Sequence, residues 1–309
     1  MKKLSIVVSL PGDNRYLTEQ AAAAETTALR LGVDLTLINA HSDAVAQSQQ
    51  LLEIIQSHQP SRPHAIIIEP ANELGLPRVA EAAVDVGIGW VISNARVDYL
   101  ETLRKKSKAP LFSISQDHEE IGRTQARQMS ALAPQGGTGL YLRGPGTNYL
   151  ASQRMLGLES ALPRNIQLKT LKIQWTQESC YQSISSWLRL ATIRPGELRL
   201  IASQNMDFVA GARNAFQEQT SGEERTKWLS VPCTAAGTST QVKSMVDKGI
   251  LAAAVITSLT METALEILVK ALHTGVQPPE HTVVESHSYP SVEELERGNV
   301  SRLPAPATR

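Results

Sequence analysis

Ala65-Ile66-Ile67-Ile68-Glu69 is followed by a helix-forming stretch that opens at Pro77 and closes near Gly87, and then by Ile88-Gly89-Trp90-Val91-Ile92-Ser93. An unbroken apolar, β-branched run marks a strand buried on both faces, and two such runs joined by a helix make a βαβ unit. The rhythm continues in both directions. Upstream, Leu4–Ser9 reads as a strand, Tyr16–Leu31 as an alanine-rich helix stopped by Gly32, Val33–Asn39 as a strand and Ala44–His58 as a helix. Downstream, Asn94–Ala109 breaks the pattern with Arg104, Lys105, Lys106 and Lys108 and reads as a solvated loop, before Pro110–Ser115 restarts it.

A second series follows. The pattern predicts helices over 118–133, 148–162, 178–191, 206–219, 238–247 and 260–273, and strands over 138–143, 166–174, 198–203, 227–231, 250–256 and 281–286. Strands recurring every ~25–30 residues with helices between them predict an α/β fold of two doubly wound parallel-sheet lobes, Rossmann-like in each half. The tail 301–309, with two prolines, is expected to fray.

Composition excludes several classes. The chain has 309 residues with 30 Lys+Arg against 30 Asp+Glu, so it has no general attraction for nucleic acid or anionic membranes. Apolar residues make up 42%, enough for a sizeable core at this length. Cys180 and Cys233 make no disulfide framework, no Cys/His cluster has zinc spacing, and no apolar run approaches the ~20 residues that span a bilayer. No cofactor and no membrane insertion are expected. The apolar stretch Leu4–Leu10 is short and ends at Pro11-Gly12-Asp13-Asn14 with no cleavage site, so the chain as written is expected to be cytoplasmic.

Open parallel sheets bind ligands beyond the carboxyl ends of their strands. Those positions hold Asn14-Arg15-Tyr16, Glu69-Pro70-Ala71-Asn72 and Asn94-Ala95-Arg96 in the first half. In the second they hold Gly144-Pro145-Gly146, Trp175, Asn205-Met206-Asp207 and Thr257-Ser258. Asparagine and arginine each grip two neighbouring hydroxyls, and an aromatic ring covers the C–H face of a sugar; the set has the chemistry of a polyol site. Catalytic patterns are thin: there is no GxSxG elbow, Walker loop or HExxH. Arg143-Gly144-Pro145-Gly146 lacks the third glycine of a dinucleotide loop, and Asp117-His118 reads as a helix-capping pair. Trp90, Trp187 and Trp228 fall within predicted elements and read as structural.

From about Ser5 to about Glu285 the chain resembles the type I periplasmic binding proteins. That sugar-binding family includes the ribose-binding protein and the ligand-binding core of LacI-type repressors. The markers are Ile66-Ile67-Ile68-Glu69-Pro70, Gly87-Ile88, Asp117 with Ile121-Gly122-Arg123, Arg154-Met155-Leu156-Gly157, Ser203-Gln204-Asn205 and Gly249-Ile250-Leu251-Ala252-Ala253. The resemblance implies one lobe from 1–113 plus 259–284, another from 114–258 plus 285–309, a three-strand hinge, and a ligand cleft between the lobes. It places ligand contacts on Asn14, Tyr16 and Arg96 in one lobe and on Arg154, Trp175 and Asn205 in the other; Glu69 and Thr257 join them as strand-end polar residues. Tyr16 can equally staple the first helix to the sheet, Asn205 can cap the helix that follows, and Glu69 can pair with an arginine. The family's Asp beside the first-lobe arginine is Ala95 here. The Asp it commonly carries after the strand near 227–231 is replaced by Pro232-Cys233-Thr234-Ala235-Ala236-Gly237. With both arginines kept, an acidic sugar is one expectation, opposed by Glu69.

The function implied is non-catalytic binding of a small sugar or polyol with hinge closure, with an ABC permease or a signalling protein as partner. Two alternatives stand beside it. One is the effector core of a LacI-like regulator whose DNA-binding part lies elsewhere. The other is a sugar-processing enzyme, for which Glu69 is the one strand-end carboxylate to nominate as base.

Overall fold

The computed structural model describes residues 3–58, 62–72, 75–146, 148–190 and 193–298. The tail 301–309 lies outside the described residues. In chain order the first stretch runs β1 (Ser5–Leu10), α1 (Arg15–Leu31), β2 (Asp34–Asn39), α2 (Ala44–Gln56), β3 (Ala65–Ile68), α3 (Pro77–Asp85), β4 (Gly89–Ser93), α4 (Tyr99–Lys106) and β5 (Leu111–Gln116). It continues with α5 (His118–Leu132), β6 (Gly137–Arg143), α6 (Tyr149–Ala161), β7 (Ile166–Lys172), α7 (Gln177–Leu190), β8 (Leu198–Ser203), α8 (Met206–Gln219) and α9 (Gly222–Leu229). Last come β9 (Cys233–Gly237), α10 (Ser239–Asp247), β10 (Ala253–Thr257), α11 (Thr260–Thr274), β11 (His281–Val284), β12 (Ser286–Tyr289) and α12 (Val292–Glu296).

The chain forms two compact units, Met1–Gln116 with Leu259–Val284 and Asp117–Ser258 with Glu285–Arg309. The first holds a six-stranded sheet in the order β11-β5-β4-β3-β1-β2, parallel throughout. Its period-two alternation fills two separate cores. Ile6, Val8, Val91, Phe112 and Ile114 face α1 and α11, whereas Val7, Ile66, Ile68, Trp90 and Ile92 face α2, α3 and α4. The second unit has the order β12-β10-β9-β8-β6-β7, parallel except where β12 runs antiparallel to β10. Leu140, Leu142, Ile201 and Ile256 pack under α7, α8 and α10, while Tyr141, Leu200 and Ala202 pack under α5 and α6.

Three expectations are corrected. Residues 94–109 contain the helix α4, because Leu100 and Leu103 recur at helical spacing and are buried, while Lys105 pairs with Glu101 one turn back at 2.7 Å. Residues 227–231 are the end of α9 and the turn after it, not a strand. Trp228 stacks on Phe216 at 5.2 Å between centroids, and the strand is β9, made of Cys233, Thr234 and small residues that fit between β8 and β10. The carboxyl end of that strand is therefore Gly237, so the family comparison at 232–237 falls on Pro232 and the strand itself rather than after it. The single strand expected over 281–286 is two, β11 in the first sheet and β12 in the second, with Glu285 between them.

Within the second unit α5 and α6 meet backbone to backbone. A Cβ on Gly122 would lie 2.1 Å from Arg154 O, and one on Gly157 would lie 1.9 Å from Glu119 O. Glycine is required at both for the space it leaves. Gly157→Ala is expected to destabilise this unit by about 3 kcal/mol or more, since the obstacle is backbone rather than a movable side chain. Gly196→Ala, where a Cβ meets nothing within 4 Å, serves as the control in the same thermal melts.

Candidate functional site

The loop after β1 turns into α1 through Asn14, whose Oδ1 accepts from Leu17 N at 3.0 Å. This cap places Tyr16 in the first turn, partly buried against the core of the first unit. Its phenol oxygen accepts from Gln20 Nε2 at 2.6 Å, Asn94 Nδ2 at 2.8 Å and Gln116 Nε2 at 3.3 Å. Gln20 also reaches α11, donating to Thr260 Oγ1 at 2.8 Å and accepting from Met261 N at 3.1 Å. The Asn94 amide donates in addition to Glu69 Oε2 at 3.0 Å. Tyr16, Asn94 and Glu69 thus form one chain across the carboxyl ends of β1, β3 and β4.

Asn94 sits at φ 55°, in the left-handed region that asparagine tolerates better than most residues. It is 4% exposed, and its Oδ1 has no hydrogen-bond partner among the described residues. Glu69 is 7% exposed and has no ion-pair partner among them. Burial pushes its carboxyl up to about 7, against the opposing pull of the Asn94 hydrogen bond. Arg96, two residues past Asn94, is exposed; its charge helps hold the His281 imidazole below its ordinary value, after burial as the larger cause.

In the second unit Gln204 is the organiser. It is fully buried, donates to Tyr141 Oη and Ala151 O at 3.0 Å each, and accepts from Gly144 N at 2.9 Å. Its own carbonyl accepts from the Arg154 guanidinium, and the next residue, Asn205, caps α8 by accepting from Phe208 N at 2.9 Å. Phe208 in turn lies flat under Trp175, with centroids 5.4 Å apart and planes 8° from parallel. The indole also covers Gly144, where an added Cβ would fall 2.3 Å from the ring. Arg154, Trp175 and Asn205 are therefore tied together through Gln204, Gly144 and Phe208. Thr257 stands apart from them: it is buried at the end of β10, in register with Ser286 of β12.

Two residues beyond the sequence-derived set belong here. One is Asn94, whose signal was its place directly after a strand. The other is His118. Asp117 does cap α5, accepting from Glu120 N at 2.8 Å, but the imidazole does no capping. It is 4% exposed with neither ring nitrogen partnered among the described residues. Burial first, and the charge of Arg154 second, keep it neutral well below its ordinary range. No group of His, Cys, Asp or Glu among the described residues could hold a metal ion, and no helix there is long and apolar enough to cross a membrane.

A family model described as "Periplasmic binding protein domain" matches residues 5–273, and the chain belongs to that family. Solved structures share the fold at low identity. A galactofuranose binding protein matches with TM-score 0.78 and 18% identity, covering 96% of this chain and 99% of its own. An ABC transporter periplasmic solute binding protein from Actinobacillus succinogenes 130z, with bound D-allose, gives 0.79 and 16%, covering 96% and 100%. The periplasmic binding protein component of the arabinose ABC transporter from Shewanella sp. ANA-3 gives 0.77 and 20%, covering 99% of each chain. A search of curated protein sequences returns no match.

The Glu69 carboxyl makes a pH prediction. Its folded value, about 7, lies above the ordinary 4.5, so the folded state holds the extra proton between the two. Stability is therefore lost as pH rises through that window, by about 3 kcal/mol in total. Glu69→Gln keeps an acceptor for Asn94 and removes the titration. The difference in thermal midpoint between wild type and E69Q should open in favour of E69Q from pH 4.5 to 7 and stay constant above.

Proposed function

We propose that the chain is a non-catalytic receptor for a small sugar or polyol, recognised at the strand-end edges of its units. The observation that carries this reading is the second unit's edge, where a partly exposed indole is fixed flat on Phe208 beside Arg154 and Asn205. A ring face next to planar hydrogen-bonding groups is what a sugar's C–H and hydroxyl faces require. The first unit supplies Asn14, Tyr16, Glu69, Asn94 and Arg96. Membership of a periplasmic binding family supports the reading, as do relatives solved as galactofuranose-, allose- and arabinose-binding proteins.

The chain passes between units at 116–117, 258–259 and 284–285, and these three crossings are the hinge the reading uses. The partner is an ABC permease or a signalling protein that recognises the ligand-loaded form. Against an enzyme, burial pushes both thiols, Cys180 and Cys233, up to about 12, which removes them as nucleophiles.

A thermal-shift screen over pentoses, hexoses, polyols, uronic acids and sugar phosphates tests the proposal. A ligand at ~100 times its Kd should stabilise the fold by about 2.7 kcal/mol and be recovered chemically unchanged. Consumption of the ligand would replace the receptor by an enzyme. For a hit, Trp175→Ala should weaken binding about tenfold or more by calorimetry, a loss of ~1.4 kcal/mol or greater. An unchanged Kd would remove the indole from the site.

A further inference from the structure

Arg143-Gly144-Pro145-Gly146 is not a dinucleotide loop, yet the structure gathers positive charge around it. Arg143 and Lys172 are the last residues of β6 and β7 and stand opposite each other in the parallel register, so both side chains leave the same face of the sheet. Like charges placed this way are destabilising. β7 ends its sheet, so no further strand lies beyond Lys172 to supply a countercharge. Neither cation meets a carboxylate within ion-pair distance among the described residues; Glu159 on α6 and Glu178 on α7 are the acids of the flanking helices, and neither pairs with them. Arg143 reaches Ser152 Oγ from Nη2 at 3.4 Å, and its Nε is buried without a partner there. Lys172 is exposed, and its chain lies along the loop: a Cβ on Gly146 would fall 3.7 Å from Nζ and 3.8 Å from Cδ and Cε. α6 follows at once. Ser152 Oγ donates to Gly146 O at 3.2 Å, and the first turn of the helix carries no acidic residue. Two cations therefore crowd the positive pole of a helix, the end at which the dipole favours anions.

We propose that Arg143 and Lys172, beside the start of α6, form a binding site for a phosphate group, separate from the set Arg154, Trp175 and Asn205. A phosphate dianion places two negative charges between the two cations and offers acceptor oxygens to both. The guanidinium grips it as a planar fork, and the ammonium follows it as a point charge on a flexible stem. A carboxylate brings half the charge, and a neutral sugar brings none. The site does not require that the chain bind a sugar. The same loop nevertheless borders the sugar-facing edge, because Gly144, two residues before Gly146, lies against the Trp175 indole. Free inorganic phosphate and a phosphate carried on a sugar are thus the two sources of one chemistry.

The experiment is calorimetric titration of the full chain with inorganic phosphate, at an ionic strength held constant with chloride. Phosphate should bind saturably at a single site, and Arg143→Gln and Lys172→Gln should each weaken it about tenfold or more. Lys169→Gln removes the same charge from the same strand, on its opposite face, and should leave the Kd unchanged. Thermal melts without phosphate report independently that each variant is folded. Glucose 6-phosphate and ribose 5-phosphate form a second arm. Tighter binding than inorganic phosphate, weakened in K172Q, assigns the site to a phosphate carried on a sugar; equal binding assigns it to the free ion. Absence of saturable binding by inorganic phosphate and by both sugar phosphates would overturn the site. An equal loss in K169Q and K172Q would overturn it too, by reducing the effect to general charge attraction. Sugar phosphates bound as tightly by R143Q and K172Q as by the unaltered chain would overturn it while leaving the receptor reading standing.

Discussion

A parallel sheet covered by helices on both faces has no polar side, and this constraint organises each unit. Ile66, Ile67 and Ile68 are all fully buried although they point alternately to opposite faces; Leu140, Tyr141 and Leu142 repeat the arrangement in the second sheet. A polar side chain within such a strand needs a buried partner, as Thr234 finds in Gln128, and going without one costs about 1–3 kcal/mol. Polar chemistry is displaced to the ends of the strands. At the carboxyl ends, the helices that follow begin with unsatisfied N–H groups, which draw in capping residues. Asn14, Asp117 and Asn205 do this work. The cap requirement and the ligand site therefore draw on the same few positions, which is why a residue such as Asn205 carries both readings.

The second unit adds a constraint of distance. Gly122 and Gly157 let α5 and α6 touch along their backbones, and the carbonyl that Gly122 approaches belongs to Arg154 itself. The arginine's backbone is set by this crossing while its guanidinium is set by the Gln204 carbonyl. Two of the markers that support the family resemblance, Ile121-Gly122-Arg123 and Arg154-Met155-Leu156-Gly157, are the two sides of that contact. Their spacing reflects helix packing first; the position of the arginine follows from it.

Much of this was legible in the sequence because buried parallel strands write themselves as contiguous β-branched runs. Where the run is weak, the reading failed. β9 consists of cysteine, threonine, two alanines and a glycine, so its strand character comes from the neighbours β8 and β10 rather than from propensity. The aromatic Trp228 drew the strand into what is a helix. The basic run 104–108 hid the Leu100 and Leu103 pair that folds α4 onto the sheet. At the site, residue types at strand ends could be read off directly. Asn94 owes its role to a left-handed backbone and to partners on α1 and after β3, and His118 is buried although it opens a helix. Those partners come from distant parts of the chain, so local sequence shows the position of each residue but not its surroundings.

The two edges differ in what they offer a ligand. In the first unit three side-chain amides are directed at the Tyr16 oxygen, and the Asn94 carbonyl has no partner among the described residues. In the second unit the groups are a guanidinium, a neutral imidazole and an indole face. Each edge carries an arginine, and the second adds an indole plane. Buried polar groups that lack partners cost stability, and that cost becomes discrimination when one ligand relieves it and another does not.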